Sequence, residues 1–126
     1  MVKDTKNFKV SEFACKCCGA NKIEQKLMDM CQVIRDKMGI PLYVSSGYRC
    51  VKHNGEVGGV KGSYHTKGLA ADLSCSQKAL NIFLAVHELY ITGQLPELSY
   101  CTLYLSKNFV HIDYGNKRMS VFEVKL

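Results

Sequence analysis

The chain has no long hydrophobic run and no dense block of charge. No stretch of about 18 apolar residues occurs among its 126 residues, so the sequence predicts no membrane-spanning helix. The polar start lacks the apolar core of a secretory signal, and we therefore expect a chain made in the cytoplasm without an export signal of its own. Lys and Arg outnumber Asp and Glu by 17 to 11, but they are scattered, and nucleic acid is not an expected partner.

Cysteine, by contrast, is abundant. The chain has seven cysteines, and an odd number cannot all pair within one chain. Because no export signal is found, we expect a reducing compartment, in which free thiols or a metal site are favoured over a disulfide framework. Cys31 and Cys101 fall at apolar positions of their segments and are expected in the core.

Three of the cysteines, Cys15, Cys17 and Cys18, lie close together in segment 1–20, which has no clear helical or strand period. Thiolates bind zinc well, but a closed structural site needs four ligands and this group offers three. Cys50 could supply the fourth. We take packed free thiols as the expectation, because a buried cysteine behaves as a small hydrophobic residue.

Helices and strands are predicted in separate parts of the chain. Apolar residues recur at three- and four-residue steps over 23–38, which predicts a helix, and a second helix is predicted over 77–91 with Ser76 as its N-cap. The strand candidates are 42–44, 70–74, 99–105, 109–114 and 119–124, the last three forming a meander with a turn at 115–116. These elements predict a small single α+β domain over 1–126, with an antiparallel sheet and helices packed against it.

Potential metal ligands occur in two motifs. The string SYHTKGLAAD begins at Ser63 and places His65 and Asp72 seven positions apart, joined through a glycine-containing turn. In the later string FVHID, strand alternation puts His111 and Asp113 on one face. If the two strands are neighbours, His65, Asp72 and His111 can bind one metal ion and leave a fourth position for water, which is typical of catalytic zinc sites.

The two motifs together, SxHxxGxAxD followed by VHxD, resemble peptidase family M15, the zinc-dependent D-Ala-D-Ala carboxypeptidases and related peptidoglycan peptidases. The upstream string SSGYRCVKHNGEVGG, residues 45–59, is similar to the SSGYRxxxHNxxVGG stretch of short phage and bacterial members. The resemblance covers roughly residues 8–115. It implies a hedgehog/DD-peptidase-like fold and one catalytic zinc ion held by His65, Asp72 and His111.

The resemblance also implies a substrate and the residues near it. The substrate would be a D-amino-acid-containing stem peptide of the bacterial cell wall, cut at its end or internally by a monomeric enzyme that reaches the wall by lysis or with a phage particle. Arg49 and Ser63 would lie on the substrate side, with Arg49 polarising a substrate carbonyl or pairing with a carboxylate. The alternative for Arg49 is a salt bridge within the glycine-rich loop, and for Ser63 a local turn bond. His53 is either a substrate-side residue or a hydrogen-bonded loop histidine.

The sequence departs from the family at one position. Many members carry the catalytic carboxylate three residues before the last zinc histidine, and here that residue is Asn108. Asp113 is the candidate replacement for the general base, or else a residue that orients a ligand imidazole through its free N–H. The alternative function is therefore a non-catalytic, zinc-containing binding module of the same fold, like the resembling domain of hedgehog proteins.

Overall fold

The chain folds around a five-stranded sheet, which the computed structural model describes over residues 1–115 and 120–126. The helices are α1 Gln25–Met38, α2 Val51–Glu56 and α3 Ala79–Ile91, with 3-10 turns at Val10–Phe13 and Tyr64–Lys67. The strands are β1 Leu42–Ser46, β2 Ala70–Cys75, β3 Leu98–Tyr104, β4 Phe109–Tyr114 and β5 Phe122–Lys125. Their order in the sheet is β1-β2-β4-β3-β5. The predicted α+β class is confirmed.

The two long helices form where the apolar periodicity predicts them, and each begins two residues later than expected. Leu27, Cys31 and Ile34 of α1 are fully buried, and Gly39 ends the helix in the left-handed region at φ 69°. The proposed N-cap of α3, Ser76, is wrong. The first amide of α3 instead donates to the side chain of Asn108, from the turn between β3 and β4.

The sheet has one apolar and one polar face. On β4, Val110 and Ile112 are fully buried in the core that includes residues of α1 and α3, whereas His111 and Asp113 point to the opposite face. Strand alternation therefore separates packing residues from candidate site residues within a single strand. Cys31 and Cys101 are fully buried in the same core, as predicted.

The predicted meander is wrong at its last strand. β2 pairs with β4 on one side and β3 pairs with it on the other, so β4 has no free edge for another strand. β5 instead adds to the outer edge of β3 and runs parallel to it, which makes the sheet mixed. Residue 119 and Asn116 of the predicted turn at 115–116 lie outside the described residues.

The glycine-rich stretch after β1 contains α2 and the second 3-10 turn, and the N-terminal segment packs closely on its start. Tyr48 N–H donates to the carbonyl of Phe13 at 2.8 Å. A Cβ atom at Gly47 would lie 2.6 Å from the Phe13 backbone, so only glycine allows this approach. None of the helices in the described part of the chain has the length and apolar composition of a membrane span.

Candidate metal centre

His65, Asp72 and His111 converge on the polar face of the sheet. Asp72 on β2 lies directly opposite His111 on β4, and the 3-10 turn before β2 carries His65. The Oδ1 atom of Asp72 is 3.1 Å from His65 Nε2 and 3.1 Å from His111 Nδ1. One potential ligand atom from each residue lies within 4.8 Å of the others. The structure thus brings together the three residues that the motifs single out.

The outer nitrogen of each imidazole ring faces a hydrogen-bond acceptor. His65 Nδ1 is 2.7 Å from the carbonyl oxygen of Gly47, and His111 Nε2 is 2.7 Å from Asp113 Oδ2. Each of these nitrogens must carry a hydrogen, since a carbonyl or carboxylate oxygen only accepts. In a neutral ring the other nitrogen then has a lone pair, and in both rings that nitrogen faces Asp72.

This arrangement fits a bound cation. With neutral rings, two imidazole lone pairs and one carboxylate oxygen face one another, and a cation placed among them removes the repulsion. Two imidazole nitrogens and a carboxylate oxygen form a donor set that suits zinc. The outer hydrogen bonds orient the rings toward that position, as is usual for histidines that bind metal.

The shifted pKa values of Asp72 and His111 also indicate that positive charge is favoured at this site in the metal-free protein. Burial raises the pKa of Asp72, but hydrogen bonds from His111 and His65 outweigh it and hold that pKa well below its usual range. For His111, burial lowers the pKa, but the carboxylates of Asp113 and Asp72 outweigh burial and raise it to about 9. A proton on His111 therefore supplies the charge when no metal does.

Arg49 fixes the second oxygen of Asp72. Its Nη2 donates to Asp72 Oδ2 at 3.1 Å, its Nε donates to Ser46 at 2.9 Å and its Nη1 donates to Asn54 at 3.1 Å. These bonds use three of the five N–H donors of the guanidinium group. The salt bridge expected as the alternative role is present, and the side chain also lines the cleft beside the site.

Ser63 and His53 lie in different surroundings. Ser63 Oγ accepts the N–H of His65 at 3.2 Å, which is the local turn bond expected as its alternative role, and Ser63 also lines the cleft. His53 lies on α2, with Nδ1 3.8 Å from Glu56 and with Cys17 nearby. It is not among the described residues that line the cleft.

Asp113 and Asn108 have structural partners that the sequence did not reveal. Asp113 is almost fully buried and contacts the His111 nitrogen that faces away from Asp72. This contact matches the orienting role, the second of the two expected for Asp113. Asn108 adopts φ 56° and its Oδ1 accepts the N–H of Ala79 at 2.8 Å, at the start of α3.

The site opens into a cleft of about 540 Å³ that combines basic and aromatic side chains. Lys107 and Lys125 line it together with Tyr100, and the hydroxyl of Tyr100 donates to the carboxylate of Glu123 on β5. Sequence reasoning missed these residues. Alternation along β3 could have placed Tyr100 on the polar face, but nothing in the sequence indicated the parallel pairing that brings Glu123 beside it.

Fold and site together define a small α+β domain with a candidate mononuclear metal centre in a cleft. The chain belongs to the Peptidase M15 family, whose family model matches residues 6–113. The resemblance seen in the motifs is confirmed, and membership supports peptidase activity on a peptide substrate in a family that is typically metal-dependent. Comparison with curated proteins gives no match.

Proposed function

We propose that the protein is a zinc-dependent peptidase that cuts a bond in the D-amino-acid-containing stem peptides of the bacterial cell wall. The observation that carries the proposal is the pair of imidazole nitrogens directed at one oxygen of Asp72. Peptidase activity is supported by membership of the Peptidase M15 family. Zinc is supported by the donor set, and the wall peptide by the motifs shared with peptidoglycan peptidases.

The residues of the site have three different roles: they bind the metal, orient its ligands and supply positive charge. When bound by His65, Asp72 and His111, zinc would polarise the scissile carbonyl and lower the pKa of a water molecule. Asp113 keeps a hydrogen on His111 Nε2 and leaves Nδ1 free to bind. Arg49 holds Asp72 in place and retains two N–H donors that can stabilise negative charge on the substrate.

The cleft suits a peptide that carries carboxylates. Lys107 and Lys125 at its wall, with Arg49 at its base, present positive charge to an occupant. The net charge of +6 favours the approach of an anionic polymer. Stem peptides carry free carboxylates, so the charge of the cleft complements this substrate class.

Glu123 is our candidate for the proton acceptor, and it would act through the hydroxyl of Tyr100, because Tyr100 lines the cleft and Glu123 is not among the described lining residues. Asp72 and Asp113 both use a carboxylate oxygen to contact the ligand histidines, whereas Glu123 is bonded to the hydroxyl of Tyr100. Tyr100 packs edge-on to the His111 ring, with ring centroids 5.9 Å apart. Tyr100 thus contacts the metal-ligand candidate His111 on one side and the carboxylate of Glu123, on the outer strand β5, on the other.

The experiment is a muropeptide digestion with the purified protein before and after metal removal. We expect cleavage to stop on chelation and to return with zinc, and mass spectrometry of the products to show whether a terminal residue or an internal bond is released. His65→Ala should abolish zinc binding at the centre formed by His65, Asp72 and His111, and cleavage with it. The matched control is His87→Ala, because His87 lies on α3 against Phe122, outside the cleft.

A binding module of the same fold is the second candidate function. Asn108 occupies the position at which many family members carry the catalytic carboxylate, and its side chain is engaged with α3. Zinc binding and retention on wall fragments, without cleavage of any stem peptide, would support this function and contradict the enzyme.

A further inference from the structure

Four cysteines from two distant parts of the chain meet beside α2. Cys15, Cys17 and Cys18 form a tight turn after the first 3-10 turn, and Cys50 is the N-cap residue of α2. The contact between Gly47 and the backbone of Phe13 brings the two segments together. We call these four residues the cysteine cluster.

The sulfur atoms are spaced as ligands of one metal ion. One sulfur from each cysteine lies within 4.8 Å of the others. Cys17 Sγ is 3.7 Å from Cys15 Sγ and 3.4 Å from Cys50 Sγ. A tetrahedral site with Zn–S bonds of about 2.3 Å has sulfur–sulfur edges of about 3.8 Å, whereas a disulfide bond is about 2.05 Å long. The observed spacings are close to the tetrahedral edge.

Backbone amides support thiolates in the cluster. The N–H of Cys50 donates to Cys15 Sγ at 3.4 Å, and the N–H of His53 donates to Cys50 Sγ at 3.4 Å. The turn itself is closed by the N–H of Gly19, which donates to the Cys15 carbonyl at 2.9 Å. Amide donors that point at sulfur favour its charged form, which is the form that binds metal.

The expectation that the thiols are packed is wrong for Cys17 and Cys18, although neither forms a disulfide. Both are exposed, while Cys15 is buried and Cys50 is partly buried. Exposed thiols gain nothing from core packing, so hydrophobic burial does not explain why these two join the group. A shared ligand does explain it, and Cys50 supplies the fourth sulfur that the N-terminal segment lacks.

We propose that the cysteine cluster binds a second zinc ion, whose role is structural. Four thiolates close the coordination shell and leave no position for water or substrate, which distinguishes this site from the three-ligand centre. The ion ties the N-terminal segment to the residue that follows Arg49, and Arg49 in turn holds Asp72. His53 is near Cys17 and serves as the control ligand in the test.

The test is zinc stoichiometry of protein purified under reducing conditions. We expect two zinc ions per chain, falling to one in Cys17→Ser and to one in His65→Ala, and to none in the double variant. Cys75→Ser and His53→Ala should keep two, because Cys75 lies outside the cluster and four sulfurs need no histidine. Cobalt substituted into His65→Ala should show thiolate-to-cobalt charge-transfer bands.

The wild-type chain gives a second readout if the variants fold poorly. A mercurial reagent that modifies thiols should release one of the two zinc ions, and the other should stay bound. One zinc ion per wild-type chain, unaffected by the mercurial, would overturn the proposal. Two zinc ions in Cys17→Ser, or loss of one in His53→Ala, would also overturn the four-cysteine assignment. Failure of cleavage would not bear on it, since every readout is metal content or spectrum.

Discussion

Single hydrogen bonds on the outer side of each imidazole decide which nitrogen faces the metal position. For His111 the N–H of Nε2 donates that bond to Asp113, which is almost fully buried. A carboxylate that accepts from a ligand histidine fixes its tautomer and raises its basicity. We therefore assign Asp113 a positioning role and test it against the general-base role.

The two roles of Asp113 predict different results for two variants. Asp113→Ala removes the acceptor for His111 Nε2, and zinc affinity should fall by about 10- to 100-fold. Asp113→Asn keeps a carbonyl acceptor, so zinc affinity and cleavage rate should stay closer to those of the wild type than in Asp113→Ala. Zinc affinity is measured by competition with a chelator, and cleavage is measured on one stem peptide at saturating zinc.

The matched comparison is Glu123→Gln. If Glu123 accepts the proton, this variant should keep its zinc and lose about 100-fold or more of its rate. The assignment would be reversed if Asp113→Asn kept zinc but lost that factor while Glu123→Gln cleaved normally.

The raised pKa of His111 predicts a pH dependence of metal binding. In the metal-free protein the ring is protonated below a pKa of about 9, above its ordinary value of 6.5. Metal needs the lone pair on Nδ1, so binding releases one proton at lower pH. Apparent zinc affinity should rise about tenfold per pH unit between about pH 7 and pH 9 and then level off.

Chelator competition at several pH values, corrected for the protonation of the chelator, measures this slope. Asp113→Ala should flatten it, because loss of the partner carboxylate lowers the pKa of His111. A wild-type affinity that does not change with pH would show that His111 is unprotonated before metal binds.

At the scale of elements, the start of α3 depends on the turn between β3 and β4. The N–H of Ala79 has its acceptor in Asn108, which also adopts a left-handed backbone that asparagine tolerates better than most residues. Asn108 thus accepts the hydrogen bond from the first amide of α3 and also shapes the turn between β3 and β4. The same contact directs the side chain of Asn108 toward α3.

Asn108→Ala should lower the free energy of unfolding by about 1 kcal/mol or somewhat more, because the helix loses its cap and alanine resists the left-handed backbone. Asn108→Asp should keep the cap, with a small gain from negative charge at the helix start, and should not raise the rate of cleavage. Denaturant unfolding measures stability, and Asn81→Ala on the exposed face of α3 is the control. A large gain in rate for Asn108→Asp would show that a carboxylate at this position reaches the reaction centre.

At the scale of the whole molecule, the N-terminal segment is held against the sheet through a contact that tolerates no side chain. A Cβ atom at Gly47 would meet both the Cα atom and the carbonyl oxygen of Phe13 at 2.6 Å. Gly47 also supplies the carbonyl that fixes His65. A substitution at Gly47 is therefore expected to affect both the cysteine cluster and the three-ligand centre.

Gly47→Ala should destabilise the protein by about 1–3 kcal/mol through overpacking, and should weaken metal binding at both sites. Gly55→Ala is the matched control, since a Cβ atom there meets nothing within 4 Å and the residue lies within α2. The control should be neutral or slightly stabilising, because alanine favours a helix. Equal melting temperatures for the two variants, measured with zinc present, would contradict the close contact.

The sequence by itself determined what is local and periodic. The apolar steps of α1 and α3, the alternation around His111 and the short span from His65 to Asp72 each reflect the geometry of one element and its turn, so they could be read from spacing alone. Membership of the family followed from the same motifs.

Only the tertiary structure decided which distant segments meet. β5 pairs with β3 because β3 has a free edge. The close backbone approach at Gly47 places Cys50 near Cys15. Packing directs the side chain of Asn108 toward α3. Such contacts depend on which edges and surfaces remain free after the core forms, and no spacing within the sequence records that.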